Sequence, residues 1–391
     1  MKKVAFFSEI MIEDFDGASR TMFQLINRIN TTHFQYLFIY GRGPSSLGTH
    51  QSLKIPTIKI PVNSDYSLAF PSFSRIRLEQ ALKAFKPDVI HIATPSLLGF
   101  FALQYAKRKN IPVISIYHTH FISYIAYYLR NFSSMIKPME YWTRKAMLRF
   151  YNACHKVYVP SNNMIKELKQ MGIESERMHL WQRGIDIKLF NKHKRDEQYI
   201  RQITKNNKPN ILFTSRLVWE KNIQTLIEIY GQLSFEGNPF NLLIAGDGTA
   251  KDEAMYKMPK AFFLGKLDHE ELSTLYASAD VFLFTSTSET YGNVIIEAMA
   301  SGLPCVIANA GGSADLVEHQ VTGFKCVPNN AKEYLYYVKK ILSNPTLKQS
   351  LQEEALQFTQ QLDWNKLADR YFEDVNHLAE LPLKDHEWVA S

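Results

Sequence analysis

The chain has 391 residues, 46% of them apolar, and a formal net charge of +7, which is too long for one ordinary core and predicts two domains of roughly 150–200 residues each. The basic balance favours an anionic partner, and the lack of zinc-finger spacing, of an RNA-binding aromatic signature and of a basic low-complexity tail argues against nucleic acid, leaving a small phosphorylated molecule or an anionic lipid. No run reaches the roughly 18 apolar residues of a membrane span, and Glu9 interrupts the first apolar run too early for a secretory signal, so the expectation is a cytoplasmic protein that is soluble or lies on the inner face of a membrane.

The first half alternates short apolar runs with helical patterns. KVAFFS reads as a strand, TMFQLINRI as a helix, YLFIY as a strand, RLEQALKAF as a helix and DVIHIA as a strand. LLGFFALQYAKRKN follows as a helix, then PVISIYH and KVYVPS as strands. This alternation predicts a parallel sheet covered by helices on both faces. Residues 192–208 are charged and poor in large apolar side chains, which marks an interdomain region, with a helix in part of it as an open alternative. The alternation restarts through NILFTS, NIQTLIEIYGQL, FNLLIAG, AFFLG, HEELSTLYASA, VFLF, PCVIA and GFKCV. The expected division is a first domain over 1–190 and a second over 191–363, with a last helix, 364–382, packing back on the first. Two doubly wound domains imply a central cleft that both sheets face, with ligands beyond the carboxyl ends of the strands. Cys154, Cys305 and Cys326 lie far apart in apolar runs, as reduced, buried thiols do.

The loops after these strands carry the chemistry. After the first strand, EDFDGASRTM places Gly17 at a helix opening, where its backbone can approach a phosphate. The spacing is not GxGxxG, so no dinucleotide fingerprint is read there. Asp14 and Asp16 form a DxD, taken as a loop or helix-cap feature and not as a metal site. His118 and His120 end another strand. With no third ligand in view they predict no metal, and His118 is taken as a polar cleft contact. Residues 121–156 interleave Arg130, Lys137, Arg144, Lys145, Arg149 and Lys156 with aromatic side chains, against one acid, Glu140. Two readings fit this stretch: an interfacial surface on anionic lipid, or amphipathic helices with aromatics in the core and cations in solvent. In TSRLVWEKN, Arg216 offers a planar fork for phosphate oxygens and Lys221 a point charge, which together can neutralise a diphosphate; the plainer alternative is a solvated basic surface loop. The glycines of AGDGTA, Gly246 and Gly248, are read as turn residues.

The densest signal is SETYGNVIIEAMASGLPCVIA, residues 288–308. Tyr291, Gly292 and Asn293 open a helix whose free N–H groups and dipole suit an anion. Carboxylates repel phosphate but accept hydrogen bonds from a vicinal diol. From Gly292 to Glu297 the helix rises about 7–8 Å. Glu289 and Glu297 therefore suit groups on either side of a diphosphate, the layout of a nucleotide sugar. The plainer alternative is one Glu stabilising the helix start and one solvated Glu.

Taken together these residues resemble the retaining GT-B glycosyltransferases of family 4 over nearly the whole chain. The resemblance is carried by E-x7-E from Glu289 to Glu297 inside ETYGNVIIEAMASGLPCV, by SRLVWEKN with Ser215 in place of a commoner glycine, and by VYVPSNNMIKEL and RGIDIKLF. DGASRTM, YHTHF and RGID resemble most closely the branch that glycosylates glycerolipids or transfers mannose. The resemblance implies an α/β fold of two Rossmann-like domains, acceptor side first and nucleotide-sugar side second. It implies that Glu297 holds the ribose and that Glu289 faces the donor sugar. Arg216 and Lys221 hold the diphosphate with backbone N–H groups of Tyr291, Gly292, Asn293 and the Gly17 loop, and His118 lies near the reacting carbon. No cofactor or metal is implied beyond the UDP- or GDP-linked donor. The implied acceptor is a membrane glycerolipid or, as an alternative, a soluble or polyprenyl-linked glycan; a nucleotide-sugar epimerase and a non-enzymatic sensor are the remaining readings.

Overall fold

A computed structural model describes residues 1–13, 15–60, 63–118, 125 and 133–381. The chain forms two compact units, one of Met1–Gln182 with the segment from Asn365 onward, the other Arg183–Trp364. The sequence reading drew its line after residue 190; the change of unit falls at Gln182, two residues beyond the last strand of the first sheet.

The first unit contains strands β1 (Lys2–Ile10), β2 (Phe34–Arg42), β3 (Gln51–Lys54), β4 (Thr57–Ile60), β5 (Asn63–Ala69), β6 (Val89–Ile92), β7 (Val113–Ile116), β8 (Lys156–Val159) and β9 (Met178–Leu180). Seven of them make one sheet in the order β3-β2-β1-β6-β7-β8-β9, every pair parallel. β4 and β5 form a separate antiparallel pair. VIHI and VISI are buried at every position, as strands with helices on both faces must be.

The second unit contains β10 (Asn210–Thr214), β11 (Asn241–Ala245), β12 (Phe262–Gly265), β13 (Val281–Phe284), β14 (Cys305–Ala308) and β15 (Gly323–Cys326). Their order is β12-β11-β10-β13-β14-β15, again all parallel. Both units are therefore Rossmann-like. In each, the chain builds outward from one strand and then reverses, which creates a switch point between β1 and β6 in the first sheet and between β10 and β13 in the second.

Residues 192–208, read as the interdomain stretch at the head of the second domain, belong to the second unit. The helix Glu197–Thr204 buries Ile200 and Thr204, and Lys194 donates to Ser273 Oγ at 2.9 Å. The stretch is charged because one face only is buried, a pattern that composition confuses with a linker. The helix Trp364–Glu380 lies on the first unit. Tyr371 Oη is 2.9 Å from His91 Nδ1, Lys156 Nζ donates to Asp374 Oδ1 at 2.6 Å, and Trp181 Nε1 donates to the Leu367 carbonyl at 3.0 Å. Burial pushes the His91 imidazole down to about 3, so it sits neutral inside the sheet. Cys154, Cys305 and Cys326 are buried free thiols.

Candidate functional site

The second switch point gathers most of the residues singled out in the sequence. The strand β10 ends at Thr214, and the chain runs through Ser215–Val218 into a short 3-10 turn, Trp219–Lys221. Leu217 is fully buried and anchors the loop: its N–H donates to the Asp247 carbonyl at 2.9 Å and its carbonyl accepts from Ala250 at 2.8 Å. AGDGTA is thus the support of the basic loop as well as a turn. Gly246 has φ 138°, and a Cβ there would stand 1.9 Å from the Ser215 carbonyl oxygen, so only glycine allows the two loops to close on each other.

The loop after β13 locks onto the same turn. Thr285 Oγ1 donates to the Asn222 carbonyl at 3.0 Å, and Asn222 Nδ2 returns a bond to the Thr285 carbonyl at 3.2 Å. Ser288 Oγ donates to the Glu220 carbonyl at 3.1 Å. These bonds bring Lys221 Nζ to 2.6 Å from Glu289 Oε1, which also accepts from Ser286 Oγ at 3.3 Å. The Lys221 side chain is 6% exposed and that of Glu289 21%. Burial alone would raise the Glu289 carboxyl; the Lys221 charge and hydrogen bond, with Arg216 and Ser286, outweigh it and hold the group below its ordinary value. Glu289 is therefore an anion held against a cation and not a lone acceptor for sugar hydroxyls, a pairing that the sequence reading missed. Arg216 is about half exposed and lies on the same loop, with Nη2 3.6 Å from Glu220 Oε1.

The helix Asn293–Ala300 begins at Gly292, with φ 103° and no side-chain cap on its first N–H groups. A Cβ at Gly292 would meet Ser313 Cβ at 2.9 Å. The Tyr291 ring is buried, its hydroxyl donates to the Arg183 carbonyl at 3.0 Å, and the Arg183 guanidinium stands 5.7 Å from the ring centre. Burial pushes the Tyr291 hydroxyl upward, so it stays a donor. Arg183 also donates to Asn293 Oδ1 at 3.2 Å. Arg183 escaped the sequence reading; its place in RGID was the available signal. Glu297 is 4% exposed and accepts from Tyr276 Oη at 3.2 Å, which excludes the solvated-Glu alternative.

The first unit holds the other two residues. Gly17 opens the helix Gly17–Ile26, as read from sequence, and Asp16 caps it by accepting from Ser19 N at 2.8 Å. His118 follows β7 and is 5% exposed. Asp14 and His120 lie outside the described residues. Among the described residues no three His, Cys, Asp or Glu side chains group as a metal site would require.

Sequence comparison agrees with this layout. The family profile described as glycosyl transferases group 1 matches residues 195–358, and that of glycosyltransferase family 4 matches 15–189. A GDP-mannose-dependent alpha-mannosyltransferase of Mycobacterium tuberculosis is 30% identical over 332 residues, covering 82% of this chain and 82% of its own. The sulfoquinovosyl transferase SQD2 of Arabidopsis thaliana is 31% identical over 333 residues, 81% of this chain but 63% of the plant protein. Among solved structures, Anabaena HepE in complex with UDP and glucose superposes with a TM-score of 0.73 over 96% of this chain and 100% of its own; at 19% identity the likeness is one of fold, GT-B. The chain belongs to glycosyltransferase family 4.

Proposed function

We propose that this protein transfers a hexosyl group from a UDP- or GDP-linked sugar to a membrane glycerolipid, with retention of configuration and without a metal. The observation that carries the reading is the buried Lys221–Glu289 pair beside the uncapped helix start at Gly292. A diphosphate at that start meets the Lys221 ammonium, the Arg216 guanidinium and the first helix N–H groups, which offset charge as the phosphate leaves. Glu289 keeps Lys221 fixed and presents its second oxygen to the donor sugar; Glu297, held by Tyr276, takes the ribose diol. The anomeric carbon–phosphate oxygen bond breaks while the acceptor oxygen attacks on the same face and gives its proton to the departing phosphate oxygen. The protein contributes position and charge, and no side chain acts as a nucleophile.

A membrane acceptor is supported by the helix Ser133–Tyr151. Phe150 and Tyr151 are buried, whereas Tyr141 and Trp142 are 60% and 63% exposed beside exposed Met135 and Met139. Lys145 Nζ stands 5.7 Å from the Trp142 ring centre. Aromatic side chains among cations on an open helix face suit the headgroup region of anionic lipid. No described helix is long and apolar enough to cross a membrane.

The direct test is a screen of UDP- and GDP-sugars for thermal stabilisation, followed by incubation of the stabilising donor with lipid extracts and a search for labelled product. Stabilisation with transfer to glycerolipid is expected. Transfer to a polyprenyl-linked or soluble glycan would replace the acceptor, and donor binding without nucleotide release would remove the enzymatic reading. Co-sedimentation with acidic liposomes should weaken with salt and on Arg144→Gln/Lys145→Gln substitution; no binding to acidic vesicles ends the lipid-surface reading.

A further inference from the structure

Glu220 is the one acid of the basic loop to which the proposed chemistry gives no work. It sits between the two cations, in the 3-10 turn Trp219–Lys221. Its side chain is 7% exposed, while that of Arg216, its partner four residues earlier, is 54% exposed. One carboxylate oxygen, Oε1, faces Arg216 Nη2 at 3.6 Å. The other, Oε2, is buried with no hydrogen-bond partner among the described residues. A charged oxygen in that condition is costly unless a nearby cation or a proton neutralises it. The backbone of Glu220 is pinned by Ser288, so the carboxyl is the fixed end of the pair and the guanidinium is the end that reaches solvent.

The groups that bear on this carboxyl are Arg216 and Lys221 from its own loop and Glu289 from the loop after β13. Burial raises the carboxyl above its ordinary value, the Arg216 and Lys221 charges pull it back, and Glu289 pushes it up again. With Glu220 and Glu289 both ionised, these two acids offset charge on Arg216 and Lys221. A diphosphate brought to Arg216 and Lys221 adds negative charge to the cluster and draws Arg216 toward the phosphate oxygens. Both changes disfavour the ionised form of Glu220.

We propose that Glu220 is a positioning residue with an exchangeable proton: as a carboxylate it holds Arg216 in place over the empty phosphate site, and it takes up one proton from solvent when a diphosphate occupies Arg216 and Lys221. Protonation releases the guanidinium to the ligand and neutralises the buried oxygens. Loss of the diphosphate product reverses the step, the proton returning to solvent as Arg216 returns to Glu220. Donor binding is thereby linked to proton uptake, and affinity falls as pH rises across the interval between the carboxyl's value in the empty site and its higher value in the occupied one.

This inference rests on the assignment of Arg216 and Lys221 to the donor diphosphate. Its test is calorimetric titration of the full chain with UDP-glucose and GDP-mannose, whose diphosphates are diesters with no proton to exchange near neutrality. Titrations are run in two buffers of different ionisation enthalpy between about pH 5 and pH 8. The wild type should show buffer-dependent heats with net proton uptake, and an association constant falling by up to about tenfold per pH unit within the window. Glu220→Gln, isosteric and uncharged, should bind with heats that do not depend on the buffer and with a flatter pH profile. A purely structural Glu220 would change stability without moving that profile. Buffer-independent heats in the wild type, or uptake of the same size in Glu220→Gln, overturn the inference and leave the nucleotide-sugar reading standing. Should the variant not fold, the wild-type heats decide alone. No binding of either donor overturns the nucleotide-sugar reading, and the inference falls with it.

Discussion

The two switch points share a topology and differ in what closes their helices. Beside β1 and β6 the helices carry their own caps: Asp16 accepts from Ser19 N, and Ser96 accepts from Gly99 N at 3.1 Å. Beside β10 and β13 neither helix does: Ile223–Phe235 follows Asn222 in a left-handed conformation, Asn293–Ala300 follows Gly292, and neither cap residue bonds the first N–H groups through a side chain. A capped start spends its donors inside the protein; an open one keeps them for a ligand. The loops differ in charge as well: Arg216 and Lys221 stand in the loop after β10, whereas the half-buried Glu9, whose Oε2 accepts from Ala69 N at 2.6 Å, stands near the end of β1, with Arg20 in the first turn of the capped helix. With equal topology, open helix starts and loop cations occur together in the second unit, the combination on which the proposed anion site rests.

Substitutions can break this contrast. The largest effect is expected from Lys221→Ala, which should lower kcat/KM at least tenfold, a loss on the order of 3 kcal/mol when a donor to developing charge is removed. Steady-state kinetics with the stabilising nucleotide sugar checks it, and a near-wild-type value takes Lys221 out of the mechanism. Gly292→Ala comes next: a Cβ at positive φ costs about 1–2 kcal/mol and crowds Ser313, so donor affinity and thermal stability should fall together. On the capped side, Asp16→Ala should cost about 1 kcal/mol of stability in chemical denaturation without weakening donor affinity. A gain in donor affinity instead would show that the Gly17 loop also meets the diphosphate.

The smallest effects are in the pH dependence of stability, where two neighbouring acids should act with opposite sign. The Glu289 carboxyl is lowered in the folded chain, so its contribution is present above the ordinary carboxylate value and is lost as pH falls through the folded one. The Glu220 carboxyl is raised, so its contribution is present below the ordinary value and is lost as pH rises through the folded one. Melting curves from acid to neutral pH should show Glu289→Gln losing stability at neutrality and Glu220→Gln gaining it, each difference shrinking toward low pH. The same sign for both variants would show that the two carboxyls do not occupy distinct electrostatic settings.

Much of the fold was legible. Short, nearly continuous apolar runs set against helical patterns located most of the strands of both sheets, because a strand buried on two faces has little freedom in composition. The start of a helix at Gly17 and the open start at Gly292 were readable from glycine next to polar residues. The exact extent of the helix within residues 192–208 was not legible, because a short helix with one buried face has the composition of a linker. The exposure of Trp142 against the burial of Phe150 was undecidable, since spacing shows which residues share a face and not which face is covered.

By itself the sequence determined the alternation of strands and helices, the parallel class of both sheets, and which loops carry acid, cation and glycine, since these follow from local periodicity and from the backbone freedom of single residues. Only the tertiary structure decided who meets whom. Lys221 and Glu289 are 68 positions apart and pair because β10 and β13 are neighbours in the sheet, and Tyr371 and His91 are 280 apart and meet because the last helix crosses back to the first unit. Strand order is fixed by long-range burial summed over a whole domain, and no local pattern in the chain records it.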